Sequence, residues 1–261
     1  MGTIESDIRG SQRKIHDLTL NENPVAALST WLSMPSLLAC WNMSSTDEPF
    51  RISDLSGQGR CLEMMNSFTP STGVSPYVSL TAAQWLFRSP ETLGDGVAWS
   101  GAGKDLTVAI WVRPQQAVAA THYYIDRYYT TPANHRVWRI ACGATGYPNC
   151  LISVDGTTGA GSFNQVDSTK IMERGVWSFL CMRFTHSVEL AIFHNMVKTT
   201  VVAAVVASLF SNHAKLQING FNWGAGSPGI MDVGLTAMYR QALSDASIYQ
   251  LFQSSRGWYG V

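Results

Sequence analysis

The chain has 261 residues, with 18 basic and 18 acidic side chains and a formal net charge of zero. Charged residues make up 14% and apolar residues 46%, against a charged share of about a quarter in ordinary globular domains. That balance excludes a phosphate-collecting surface, and with it nucleic acid as a partner, while the length suits one large β domain or two small ones.

The first residues, Met1-Gly-Thr-Ile-Glu-Ser-Asp, contain no apolar stretch of the signal-peptide kind. The longest apolar run, Val201–Phe210, is too short to span a bilayer, so no membrane insertion is expected. Ile4, Ile8, Ile15 and Leu18 fall on a heptad-like spacing with Ser11 between them. The run covers about two heptads, short of the roughly three to four that define a coiled coil. A helical seam and an extended arm therefore both remain open. Asn23-Pro24 is a helix-start signal, and Val25, Leu28 and Leu32 follow at helical spacing before Pro35. The spacing predicts a short helix over about 24–33.

From Ser36 the pattern changes to period two. Leu37-Leu-Ala-Cys-Trp41 opens a strand, and Asp54-Leu-Ser-Gly57-Gln-Gly59 reads as a tight turn. Residues 69–76 read as a loop. Leu106–Val112 alternates and stops at Arg113-Pro114. In His122-Tyr-Tyr-Ile-Asp-Arg-Tyr-Tyr129, simple alternation sends Tyr123 and Ile125 to one face and Tyr124 and Asp126 to the other. Val137–Ala141 and Leu151–Val154 are further strands, the latter closed by the hairpin signal Asp155-Gly156. Val197–Val206 is rich in β-branched residues, and its period does not separate strand from helix. Ser244-Asp245 caps a last helix with Ile248, Leu251 and Phe252 on one face.

The five cysteines, Cys40, Cys61, Cys142, Cys150 and Cys181, are odd in number and contain no Cys-x-x-Cys. Reduced thiols are expected, with a Cys142–Cys150 pair as the less favoured alternative.

Several of these segments follow one another in a recognisable order. They are Leu37-Leu38-Ala-Cys-Trp41, then Asp54-Leu-Ser-Gly57-Gln-Gly59, then Leu106-Thr107-Val-Ala-Ile-Trp111-Val112-Arg-Pro114 and Gly175-Val-Trp177. Gly229-Ile-Met-Asp232 and Tyr239-Arg-Gln-Ala242-Leu243-Ser244 close the series. This order resembles the laminin-G-like branch of the concanavalin A-like lectin/glucanase superfamily, over roughly residues 37–256. The family's Tyr-x-Asn-Gly hairpin stands here as Phe193-His-Asn195-Met196, without the glycine. The resemblance implies an all-β, two-sheet antiparallel jelly-roll sandwich of concanavalin A type over residues 36–261. Residues 1–35 form an added N-terminal arm and short helix. Relatives of this kind include lectins, adhesion modules, glycosidases and virion proteins, so fold alone does not choose among them.

The residues offer little catalytic chemistry. Glucanases of the superfamily carry clustered carboxylates on one strand, but Glu91, Glu173 and Glu189 are the only glutamates after residue 90 and form no cluster. Gly224-Ala-Gly226-Ser-Pro-Gly229 matches Gly-x-Gly-x-x-Gly but precedes a strand, not a helix, so it reads as a hairpin loop. The six histidines show no His-Glu-x-x-His. Asp95, Asp105, Asp155 and Asp232 are conceivable calcium donors, but no metal or cofactor is expected.

What remains is aromatic. Tyr128 and Tyr129, and Asn222 with Trp223 beside the glycine loop, are candidate ligand-binding residues, since sugar rings and protein partners both dock on such side chains. The expectation is a non-enzymatic structural or interaction protein. In its leading form this is a virion surface component, capsid decoration or tail, with Ile4, Ile8, Ile15 and Leu18 of the arm anchoring it to an assembly. Its partners would be capsid or tail subunits and copies of itself. The alternative is a carbohydrate-binding module mediating adhesion, with host glycans as partners.

Overall fold

The computed structural model describes residues 24–48, 50–65, 76–88, 99–117, 121–129, 135–211, 214–220 and 229–261. The arm residues Ile4, Ile8, Ile15 and Leu18, the loop residues Asn222 and Trp223, and Asp95 lie outside the described residues.

Helix α1 (Pro24–Ser33) stands where the Asn23-Pro24 signal places it; proline at the first helical position loses no intrahelical hydrogen bond. Strands β1 (Leu37–Glu48), β2 (Arg51–Asp54), β3 (Leu62–Met65), β4 (Val78–Leu80), β5 (Trp85–Arg88) and β6 (Gly101–Ala102) follow. Next come β7 (Leu106–Pro114), β8 (His122–Tyr129), β9 (His135–Cys142), β10 (Pro148–Ser153) and β11 (Phe163–Asp167). The chain continues through β12 (Ser178–Thr185), β13 (Glu189–His194), β14 (Val197–Val201), β15 (Ser208–Leu209), β16 (Leu216–Ile218) and β17 (Met231–Tyr239). Helix α2 (Asp245–Tyr259) ends it.

Fifteen of these strands form one hydrogen-bonded sheet, fourteen of them in a single path, and β6 pairs separately with β15. The back half runs β1-β17-β7-β12-β13-β14, with β4 also on β17; the front half runs β11-β10-β9-β8-β16-β5-β3-β2. The β1–β2 pair joins them. The halves face each other: Cys150 Sγ of β10 lies 3.6 Å from the Ala191 carbonyl of β13. Asn164 Oδ1 of β11 accepts from Val206 N beyond β14 at 2.8 Å. This is the jelly-roll sandwich expected from the sequence.

Alternation divides each strand between two environments. From the front sheet Trp138, Ile140, Cys150 and Ile152 point into the sandwich; from the back, Val108, Ile110, Leu180, Met182 and Ile192 meet them. The other face of the back sheet carries Ala109, Trp111, Phe179, Cys181 and Tyr239, and these pack under α1 and α2 with Trp31, Phe252, Trp258 and Tyr259. Strand β7 is therefore buried along nearly its whole length, because both of its faces are covered.

Polar groups fix the helical cover. Trp31 Nε1 donates to the Leu251 carbonyl at 3.1 Å, and Tyr239 OH donates to the Trp31 carbonyl at 3.1 Å. Trp111 Nε1 donates to Ser255 Oγ at 2.9 Å, and the Trp111 ring stacks on Tyr259 at 4.5 Å. Ser244 caps α2 by accepting from Ser247 N, and Gly260 closes it in the left-handed conformation.

Two turns depart from the sequence expectation. The β10–β11 connection is not a two-residue hairpin at Asp155-Gly156 but a longer loop. Asp155 organises that loop by accepting from Thr157 N, Thr157 Oγ1 and Ser162 Oγ; this stabilises the carboxylate and lowers its pKa to about 2. The β13–β14 turn, which lacks the family's glycine, places both Asn195 (φ 46°) and Met196 (φ 67°) in left-handed backbone. Asn195 tolerates this region, and its Oδ1 accepts from Phe179 N at 2.8 Å. Val197–Val201, undecided by period, is strand β14. All five cysteines are free and buried.

Candidate functional site

With the helices covering the back sheet, the outward face of the front sheet is the remaining broad sheet face. Its centre lies on β8 and β9. The β8–β9 register shifts between Tyr123 and Ile125, a bulge that changes the sequence-based assignment of faces. Tyr124 and Ile125 both enter the sandwich core, whereas Tyr123 and Tyr128 pack together on the outward side with Ala141 and Leu151. An extra residue in one strand resets the alternation.

Cross-strand pairing then aligns a row on that outward face: Gln165, Leu151, Arg139, Asp126, Gln217 and Phe87. The row crosses β11, β10, β9, β8, β16 and β5, about 24 Å at the usual interstrand spacing. Its middle is polar and incompletely paired. Asp126 is fully buried; its Oδ1 accepts from Tyr128 N at 3.0 Å, while Oδ2 has no partner. Arg139 Nε, Gln217 Oε1 and Asn149 Oδ1 are likewise unpartnered. Unpaired buried polar atoms are uncommon and costly, and these four belong to neighbouring strands. Burial pushes the Asp126 carboxyl well above the usual range, against the smaller opposing effects of the Tyr128 amide and Arg139.

Arg139 is half-buried. Its guanidinium lies 5.3 Å from the Tyr123 ring centroid and 4.9 Å from that of Tyr128. Nη1 reaches Tyr123 OH at 3.2 Å and Nη2 donates to Gln165 Oε1 at 3.3 Å. Arg136 also lies over Tyr128, at 5.5 Å, and its Nη1 donates to the Gly156 carbonyl at 3.2 Å. Tyr128, expected as a stacking platform, is only 5% exposed. Its ring is a bed for guanidinium groups. Tyr129 ends β8 opposite His135.

A residue missed by the sequence reading holds the neighbouring loop. Asn219, fully buried just after β16, has Nδ2 within donor reach of the carbonyls of Thr81 (3.2 Å), Gln84 (2.9 Å) and Gly229 (3.0 Å). Its Oδ1 accepts from Gly229 N at 2.9 Å. Asn219 thereby ties together the two ends of the segment that contains Asn222 and Trp223. Its φ of 56° lies in a region where asparagine is enriched, and this is the only trace the role leaves in sequence.

The other candidates have structural partners. Asp232 accepts from Ser79 Oγ at 2.6 Å, from Arg113 Nε at 2.7 Å and from Gln115 Nε2. Asp105 Oδ1 meets His186 Nδ1 at 2.7 Å. Among the described residues no group of three or more His, Cys, Asp or Glu side chains is arranged to hold a metal. No helix among them is long and apolar enough to cross a membrane. Surface grooves occur elsewhere, one along α1 beside Leu28, Ser29, Leu32 and Ser33 and one between α1 and α2. Both lack charged lining residues, and the sheet face has the richer recognition chemistry.

An antiparallel sandwich with helices over one outer face defines a concanavalin A-like class of domain. The Laminin_G_3 family model, described as concanavalin A-like lectin/glucanases superfamily, matches residues 89–249, more than half of the chain, which belongs to this family. No curated protein sequence matches significantly. Among solved structures, the binding domain of Paraclostridial Mosquitocidal Protein 1 is similar at a TM-score of 0.64 and 13% identity, over 83% of this chain and 52% of that one. The botulinum neurotoxin serotype D ligand binding domain, in complex with N-acetylneuraminic acid, is similar at 0.61 and 10%, over 90% and 52%. The binding domain of botulinum neurotoxin DC in complex with SialylT gives 0.57 and 13%, over 85% and 52%. At these identities the likeness is one of fold, and the chain spans about half the length of the structures it matches.

Proposed function

We propose that this protein is a non-catalytic, carbohydrate-binding module that uses the outward face of its front sheet. The carrying observation is the accessible pair Arg139 and Gln165 on this face, linked by Nη2 to Oε1 beside the buried Asp126 and Gln217. Sugar hydroxyls donate and accept, so a glycan and its ordered waters suit such accessible polar groups better than an apolar partner does. Trp223 and Asn222, the aromatic and amide candidates of the sequence, are proposed as further sugar contacts. The two neurotoxin domains described with sialic acid or a sialyl ligand support the class. The ligands belong to chains about twice this length, so they do not locate the site.

A glycan screen with the full chain, followed by calorimetry, tests the reading. Binding competed by free sugar, and weakened tenfold or more by Gln165→Ala and Trp223→Ala in folded protein, is expected. Absence of sugar binding at millimolar concentration, or equal binding by both variants, overturns it.

We infer assembly as a second role, favoured by the uncharged groove along α1 directly after residues 1–23. Solution mass of the full chain and of a version lacking residues 1–35 tests it: loss of an oligomer on truncation supports an anchoring arm, and monomers in both cases argue against self-assembly. A virion location has no support in the comparisons and is not needed by either role.

A further inference from the structure

Arg139 occupies the centre of the polar row, yet its hydrogen bonds go only to neutral groups, Tyr123 OH and Gln165 Oε1. Its cross-strand neighbour Asp126 accepts from the Tyr128 backbone instead. Among the described residues no carboxylate lies within ion-pair distance of this guanidinium. The side chain is half-buried, and Arg136 adds a second positive charge over the same Tyr128 ring. A half-desolvated guanidinium without a counter-ion is costly. Here it lies over two rings and makes two hydrogen bonds, which leaves further Nη–H donors in a fixed position. That geometry suits a planar or trigonal oxyanion, which guanidinium groups bind in bidentate fashion.

We propose that Arg139, with Arg136 adding to the local positive potential, seats the anionic substituent, carboxylate or sulfate, of an acidic glycan. The inference rests on the glycan-binding reading above and names the class of sugar that this face selects. Tyr123 and Tyr128 act as positioning residues that orient the guanidinium. Gln165 fixes its far edge.

The test is calorimetry of the full chain with three versions of one oligosaccharide: neutral, carboxylated and sulfated. Each is measured at low and at physiological salt, with wild type, Arg139→Gln and Arg139→Lys. At least one acidic version is expected to bind tenfold or more tighter than the neutral one, with an advantage that shrinks as salt rises. Arg139→Gln should abolish the advantage, and Arg139→Lys should retain part of it, since lysine offers charge without the fork. The ratio of carboxylated to sulfated affinity identifies the anion. Equal affinity for neutral and acidic versions in the wild type overturns this inference and leaves the general glycan-binding reading standing. Absence of binding by all three, as in the wider screen, removes that reading and this inference with it.

Discussion

The guanidinium of Arg139 lies over the ring of Tyr128, 4.9 Å from its centroid, with Tyr128 almost wholly covered. Tyr128 of the tyrosine cluster that stands out in the sequence therefore lies beneath arginine, and its proposed part in binding is to orient that side chain. Tyr128→Leu keeps an apolar filler under the guanidinium but removes the ring quadrupole, a loss of about 0.5–2 kcal/mol at such a contact. Glycan affinity is expected to fall about three- to tenfold, with the acidic ligand more affected than its neutral counterpart. Calorimetry on the variant, with near-ultraviolet circular dichroism to check the fold, measures this. An unchanged preference for the acidic ligand would show that Tyr128 only fills space.

Asp126 gives a pH-dependent expectation. Burial holds its carboxyl well above the usual range, so the folded chain binds this proton more tightly than the unfolded chain. The associated stability is present below the unfolded pKa and is lost as pH rises through the folded one. The limiting slope is about 1.4 kcal/mol per pH unit. Asp126→Asn keeps an acceptor for Tyr128 N and removes the ionisation. The variant should match wild type near pH 4 and be more stable at pH 8, by chemical denaturation at both values. Lower stability of the variant at pH 8 would mean that an ionised Asp126 pairs with Arg139.

The outline of the fold was legible because its signals are local. Proline after asparagine marks the start of α1, the period-two run Leu106–Val112 marks β7, and Ser244 marks the start of α2. The Asp54 turn was equally clear, and its carboxylate accepts from Cys40 N, Ser56 N and Arg60 N. The site was not legible, for two physical reasons. Its row draws on strands that are distant in sequence, with β16 inserted between β8 and β5. The bulge in β8 also reversed the faces of Ile125 and Asp126 that alternation would assign. Tyr128 was singled out, but its partners Arg139 and Asp126 were not, because a charged residue within an alternating strand ordinarily reads as a solvated face.

His194 supplies a second pH expectation of opposite sign. It is buried between Ser168 Oγ at Nδ1 (3.3 Å) and Ser178 Oγ at Nε2 (3.2 Å), and burial lowers its pKa to about 4. The folded state favours the neutral ring, so this stability is full above the unfolded value of 6.5 and is lost as pH falls towards 4. The loss amounts to about 3 kcal/mol over that window. His194→Gln should be less stable at pH 7 but lose less between pH 6.5 and 4. Urea denaturation across that range measures the difference, and parallel curves for wild type and variant would assign the acid limb to other groups.

Asn219 links stability to the proposed binding loop. Its amide serves three carbonyls and one N–H from two separate segments, the turn from Thr81 to Gln84 and Gly229. Asn219→Ala leaves these buried groups unpaired and keeps the left-handed φ without asparagine's tolerance for it. A loss of about 3 kcal/mol is expected. Asn219→Asp is nearly isosteric but replaces the amide donor with an acceptor facing three carbonyls, so it should cost at least as much at neutral pH. Asn219→Gly relieves the backbone but not the missing hydrogen bonds, and should fall between wild type and alanine. If the loop bearing Trp223 contributes to sugar binding, the folded fraction of each variant will also bind more weakly than wild type. Denaturation and calorimetry on the same three proteins separate the effects. Reduced stability with unchanged affinity would confine Asn219 to a scaffold role and place the sugar contacts on the sheet alone.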